Sequence, residues 1–289
     1  MGTLIGHILP GVFFFVFGLI GIFDGFKRYF YALTRGKTPY RSQTCTKYRY
    51  KDRKTNMTRE IPLESILKAS AALIGVVGEV VTGMTPEGIV GIHNQQHCIM
   101  YCLFGIQGMV EILVHRMESS HGANAKVLPP NLDYIFGAMA FAGETLLFYW
   151  HLHGRNELDI RVHTFLIYVS LACVIFCIVE LVNRSDFSIF LLRNGFTIIH
   201  GTWFVHVGFI LYPISDTAHW DPSSHRDLMT IPIYFILHIM ATSSLIGILG
   251  FLFYGYNYSD IKEIRYFEVK SSSSQRIPLT SSSESDLNL

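Results

Sequence analysis

The sequence predicts an all-α fold: a seven-transmembrane-helix bundle with the N-terminus outside (lumenal) and the C-terminus cytoplasmic. Three observations predict it. Hydrophobic residues make up 50% of the chain and charged ones 16%, whereas a soluble domain carries about a quarter charged residues. The apolar residues gather into seven stretches, each near the roughly 20 residues that cross a bilayer. Finally, 11 of the 23 Lys and Arg residues fall between the first two stretches. Basic loops stay in the cytoplasm, so the N-terminus is placed outside, and an odd number of spans returns the C-terminus to the cytoplasm.

The first span runs from Leu4 to Phe23. It begins almost at Met1, has no basic leader and lacks a small-x-small cleavage site, so it reads as a span and not as a cleaved signal. The basic loop 24–63 follows. The second span runs from Ser65 to Met84, the third from His97 to His115, and the fourth from Asp133 to Trp150. The fifth covers Val162 to Val182, the sixth Phe187 to Tyr212, and the seventh Met229 to Tyr254. Residues 1–260 thus form one membrane domain. Residues 261–289 are serine-rich without apolar periodicity and are expected to be a disordered cytoplasmic tail, open to cytosolic sorting or kinase partners. The sequons at Asn56, Asn183 and Asn257 all fall on the cytoplasmic side of this topology. Of the five cysteines, Cys98 and Cys102 share one helix face, as do Cys173 and Cys177, while Cys45 lies in the loop. That pattern reads as packing and not as a disulfide framework or a zinc module.

Charged and imidazole side chains at membrane depth are costly, so each demands a partner, a water cavity or a metal. Counting along each span at 1.5 Å per residue, Glu79, His97, Glu144, His151, His163, His200, His206 and His238 fall in the outer half of the bilayer. They come from six spans and define one candidate layer. Glu111, Glu180 and Arg193 fall near the inner boundary, where the spacing predicts contact with water. His115, His121, His219 and His225, with His93 and His153 beside them, are placed at span ends as solvated groups, and His7 contributes from the outside. Glu144 and His151 are two helical turns apart and share a face. His200 and His206 are about 120° apart, so only one of them faces any single point. Gly201 next to His200 permits close helix approach.

Imidazole and carboxylate together suit zinc, and also iron or manganese. The candidate metal ligands are His97, Glu144, His151, His163, His200 and His238, with Glu79 and His206 in a second tier. A zinc ion there would be a Lewis acid able to activate water, which makes a membrane hydrolase acting on a lipid or small apolar substrate one reading. Paired histidines instead suit b-type haem and electron transfer. A Glu/His relay suits proton-coupled transport, although no internal repeat is evident. The fourth reading is a non-catalytic trafficking or scaffold protein whose polar core fixes helix register. The lipid bilayer is the expected partner, and nucleic acid is not.

Four segments carry a family resemblance. Gly6-His7-Ile8-Leu9-Pro10-Gly11 opens the chain. Gln96-His97-Cys98 begins the third span, and Glu144-x-x-Leu147-Phe148-Tyr149-x-His151-x-His153-Gly154-Arg155 closes the fourth. Gly201-Thr202-Trp203-Phe204 lies in the sixth. Together they resemble the transmembrane protein 45 family and its epididymal relatives, a family known chiefly as a domain of unknown function. The resemblance implies a seven-helix membrane protein and adds weight to His97, Glu144, His151, His163 and His238. Where relatives usually carry glutamine, this chain has His200 and His206, and this departure makes them candidate hydrogen-bonding substitutes.

Overall fold

The computed structural model describes residues 3–35, 38–53, 56–86, 88–119, 128–215 and 219–264. Among them are seven long α-helices: α1 (Leu4–Thr34), α2 (Leu63–Gly83), α3 (Ile92–Glu118), α4 (Leu132–His151), α5 (Glu157–Val182), α6 (Phe187–Leu211) and α7 (His225–Tyr256). Five of these, α1, α2, α3, α5 and α7, are long and apolar enough to cross a membrane. The other two also carry deep polar groups, Glu144 on α4 and Arg193, Asn194, His200 and His206 on α6. Hydroxyl, amide and carboxylate caps start the later helices. Asn156 accepts from the Asp159 amide at 2.8 Å, Asp186 from the Ser188 amide at 2.8 Å, and Ser224 from the Asp227 amide at 3.3 Å. Each satisfies a helix-terminal N–H that would otherwise lack a partner.

Helices α1 to α6 pack as a ring, with α2 on α3, α3 on α4, α4 on α5, α5 on α6, and α6 along the full face of α1. The ring closes loosely between α1 and α2, and α7 lies outside it against α6, α1 and α5. The α1–α6 seam is tight because small residues meet there. A Cβ on Gly11 would fall 2.7 Å from the Gly201 carbonyl oxygen and 2.9 Å from the Val205 nitrogen. The two backbones therefore touch, as in small-residue packing between membrane helices. Two apolar clusters flank the ring. One joins Val162, Leu166, Trp203, Val207 and Phe235 across α5, α6 and α7, with the Trp203 indole donating to the Val162 carbonyl at 3.0 Å. The other joins Ile22, Phe26, Phe30 and Ile198 with Ile261, because the chain stays helical over 258–264 and folds back on α1. The serine-rich tail beyond 264 lies outside the described residues.

The basic loop is more structured than its charge suggests. Helix α1 continues eleven residues past the expected end at Phe23. Asp24 and Arg28 pair one turn apart at 2.6 Å, and Phe26 and Phe30 stay buried. Strands β1 (Tyr48–Lys51) and β2 (Thr58–Ile61) form an antiparallel hairpin, with Tyr48 opposite Ile61 and Lys51 opposite Thr58. Between α1 and the hairpin, residues 41–47 lie across one end of the bundle as a strap. Ser42 bonds the Tyr134 hydroxyl at 2.9 Å, Thr44 donates to Asp133 at 2.8 Å, and the Thr46 amide donates to Glu64 at 2.7 Å. The Gln43 carbonyl accepts from Arg193 at 3.2 Å.

Candidate functional site

The helix ring encloses a cavity with about 1090 Å³ of empty space, its mouth included. Lining residues on α2 run from Glu64 to Glu79, roughly 22 Å along the helix axis, so the space is elongated. It has three zones. Glu64, Lys68, Gln107, Arg193, Asn194 and Thr197 line the end beneath the strap. Phe13, Phe14, Phe17, Phe104, Phe141 and Phe148, with Tyr101, wall the middle. His7, His97, His151, His163 and Glu79 line the other end.

At the strap end the charges neutralise one another. Lys68 reaches Glu64 at 2.8 Å and Glu111 at 3.1 Å, while Glu111 also accepts from Ser65 at 2.8 Å and Gln107 at 3.0 Å. Arg193 pairs with Glu180 at 2.6 Å, and Glu180 accepts the Tyr134 hydroxyl at 2.7 Å. Glu111 and Glu180 are 1% and 0% exposed. The expectation that these two reach water is therefore wrong. Each lies on a helix face turned into the bundle, where a cation and hydroxyl donors replace water. Cys45 sits in this strap, and burial pushes its thiol up to about 12, which makes it a packing group and not a nucleophile.

At the opposite end five imidazoles crowd together. His93 and His151 have ring centroids 5.3 Å apart, His97 and His151 5.6 Å, His151 and His163 5.6 Å, and His163 and His7 5.8 Å. Their hydrogen bonds set the tautomers. His7 Nδ1 donates to the Thr3 carbonyl at 2.9 Å. His163 Nδ1 donates to the Asp159 carbonyl at 2.9 Å and lies 2.7 Å from Asp159 Oδ1, off the bonding direction. His97 Nδ1 lies 3.2 Å from Glu79 Oε1, and Glu79 also accepts from Asn94 at 2.7 Å. His151 has both nitrogens occupied: Arg155 donates to Nε2 at 2.7 Å, so Nδ1 donates to Gln96 at 2.9 Å.

The sequence-predicted site residues do not converge on one point. His97, His151 and His163, with Glu79, join the imidazole cluster. Glu144 and His200 form a separate pair in the aromatic middle, with His200 Nε2 3.2 Å from Glu144 Oε2. His206 and His238 pair between α6 and α7, outside the ring, at 2.8 Å, and His238 bonds Thr202 at 3.0 Å. The 120° offset between His200 and His206 sends them to different neighbours, as the spacing predicts. Glu144 and His151 both line the cavity, also as their spacing predicts. Among the described residues, no group of three or more His, Cys, Asp or Glu is arranged to hold a metal ion.

Sequence reasoning placed His7 as a contributor from the outside and missed three further groups. His7 is 6% exposed and belongs inside the cluster; His93 is half-buried against His151. His115, expected to be solvated, is 6% exposed and bonds the Glu60 carbonyl of the hairpin at 3.1 Å. Lys68 was the most legible omission, since a lysine inside an apolar span calls for a carboxylate partner. His121 lies outside the described residues.

A ring of long apolar helices around an aromatic-walled cavity with polar ends defines an integral, multi-pass α-helical membrane protein. Comparison with known proteins agrees. Residues 130–251, which run from the start of α4 into α7, match a family described as "Family of unknown function (DUF716)". The chain is 23% identical over 256 residues to transmembrane epididymal protein 1A of Mus musculus, covering 86% of this chain and 81% of that one. It is 24% identical over 166 residues to transmembrane epididymal protein 1 of Homo sapiens, covering 56% and 57%. With transmembrane epididymal protein 1 of Rattus norvegicus it shares 22% over 261 residues, covering 86% and 81%. The family match spans the Glu144–Arg155 and Gly201 segments, and the relatives named are similar to this chain at low identity.

Proposed function

We propose that this protein binds an elongated apolar molecule, a lipid chain or a small apolar substrate, in its central cavity. The observation that carries this is the zoning: an aromatic middle between two polar ends along roughly 22 Å of helix. Ligand sites are typically apolar concavities with a few placed polar groups. The test is mass spectrometry of molecules that co-purify with the protein in detergent, comparing wild type with Ala71→Phe, which puts a ring into the cavity wall. A retained amphiphile that Ala71→Phe expels supports the proposal. No retained molecule, and no binding of added radiolabelled octadecanol, sinks it.

All seven helices are taken as spans, with the basic loop, strap and hairpin in the cytoplasm and the imidazole end toward the outer or lumenal side. Helices α4 and α6 qualify because Glu144, Arg193, Asn194 and His200 turn into the bundle and His206 is covered by His238 of α7, so lipid need not meet them. Single sequons inserted near residues 85 and 220 test this. Glycosylation at both, with none at 54, is expected, and the reverse pattern would invert the topology.

A second reading keeps zinc at the imidazole end. The Nδ1 groups of His7 and His163 donate to carbonyls, and that of His97 faces a carboxylate. Histidines that ligate metals through Nε2 are held in this way. Zinc would supply a Lewis acid there only after these three rings turn toward one point, since among the described residues no three such groups are arranged to hold a metal ion. Elemental analysis of untagged protein decides: near-stoichiometric zinc lost in His163→Ala supports it, and background levels remove it. A b-type haem on the His206–His238 pair is disfavoured, because a direct 2.8 Å hydrogen bond already closes the gap.

A further inference from the structure

Resting on the cavity reading, the geometry points to a lipophilic ammonium as the ligand class, its cationic head held by Glu144 within the aromatic middle. The first reason is incomplete compensation. Glu144 is 2% exposed, and a carboxylate taken out of water needs a charged or multiply bonded partner. Its Oε2 accepts one hydroxyl, from Ser170 at 3.1 Å. That same hydroxyl also lies 3.2 Å from the Phe141 carbonyl, and a single proton serves one of them at a time. His200 Nε2 is 3.2 Å from Oε2, yet neither ring nitrogen of this fully buried imidazole makes a well-directed hydrogen bond. Among the described residues no group bonds Oε1, and no Lys or Arg pairs with Glu144.

The second reason is contrast with the other charges on the same cavity. Lys68 and Arg193 are each matched by carboxylates at 2.8 and 2.6 Å, so neither is free to hold an anionic head. Glu64 receives Lys68 and the Thr46 amide. Glu79, at the imidazole end, receives Asn94 and faces His97. Glu144 is the lining carboxylate with the least compensation, and it sits about 10 Å inward from His151, seven residues along α4.

The third reason is the wall. Phe14 and Phe104 meet edge to face at 5.0 Å, and Phe104 and Phe141 at 5.1 Å. Phe14 and Phe148 also pack on the His200 ring, with centroids at 4.7 and 6.4 Å. Aromatic faces around a carboxylate attract organic cations through the ring quadrupole, while the remaining wall accepts a hydrocarbon chain. An ammonium head would complete the charge that Ser170 and His200 only partly balance.

The test compares two probes that differ only in the head group, radiolabelled octadecylamine and octadecanol, on purified full-length protein. The expected result is a preference for the amine on the order of tenfold. Glu144→Gln is expected to bring the two probes to equal affinity, and Phe104→Leu to reduce the preference while leaving the carboxylate in place. Glu118→Gln, an exposed substitution on α3 beyond the strap end, should keep the wild-type preference. Thermal unfolding of each variant establishes that it is folded. Equal binding of amine and alcohol to wild type overturns the ammonium assignment but keeps the cavity reading. A preference that survives in folded Glu144→Gln overturns the role of Glu144, and binding of neither probe removes both readings together.

Discussion

The two ends of the cavity hold similar numbers of titratable groups and treat them in opposite ways. Beneath the strap, the charges at the cavity are matched by opposite charges and added donors: Lys68 with Glu64 and Glu111, Arg193 with Glu180 and Tyr134. At the other end imidazoles meet imidazoles edge-on or tilted: His7 and His163 are each held through one nitrogen, His151 through both, and the Nδ1 of His93 has no partner among the described residues. A satisfied network fixes a structure and offers little to a ligand. An under-bonded one costs stability and leaves donors and acceptors available. The strap end is therefore the floor of the bundle, and the proposed ligand site lies at the less fully bonded end and the Glu144 zone.

The largest expected effect breaks the floor. Glu180→Gln or Arg193→Ala leaves an unmatched buried charge, and thermal unfolding in detergent should show a loss of about 3–5 kcal/mol. Replacing both partners by apolar residues of similar size should recover most of it; failure to recover would mean that the pair does more than neutralise itself. Next comes the seam that holds both ends in register. Gly201→Val forces the α1 and α6 backbones apart, with an expected cost of about 1–3 kcal/mol. Smaller still, His97→Ala or His93→Ala, both half-buried, should shift stability by about 1 kcal/mol or less. If their cost matches that of Glu180→Gln, the contrast between the two ends is wrong.

At neutral pH the smallest effect concerns Cys45. Its thiol rises from 9.0 to about 12 on folding, mainly by burial and secondarily through Glu111. A raised value means that the folded state holds its proton more tightly. The resulting stability is full below pH 9 and is lost as pH climbs from 9 toward about 12. Maleimide labelling followed by mass spectrometry should find Cys45 unmodified at pH 7.5 in folded protein and modified once unfolded. Labelling of the folded protein at neutral pH would show that the strap is open.

Much of the architecture was legible because hydropathy reads membrane helices directly. The spans from Ser65, Asp133 and Phe187 start within two residues of α2, α4 and α6. The end of α1 was not, since apolarity stops at Phe23 while the helix continues on an amphipathic turn held by Asp24 and Arg28. The hairpin was hidden because Tyr48-Arg49-Tyr50-Lys51 reads first as a charge run. For the site, periodicity separated His200 from His206 and joined Glu144 to His151. Depth alone, however, merged three separate groups into one layer, because position along the membrane normal does not say which helices are neighbours. Lys68, Glu111 and Glu180 show the same limit from the other side: their partners lie on other helices, and no spacing within one span reveals them.

The strap 41–47 has a practical consequence for anyone handling this protein. A segment between two membrane helices is where tags, fusion partners and deletions are usually placed. Here Ser42, Gln43, Thr44 and Thr46 bond to α4, α6 and α2, so shortening that stretch would unlatch three helices at once. The hairpin turn beside Asp52 and Asn56 is the safer attachment point, because both flanking strands are largely exposed and their turn bonds are local. A fusion there should preserve the cavity, and one at residue 43 should empty it.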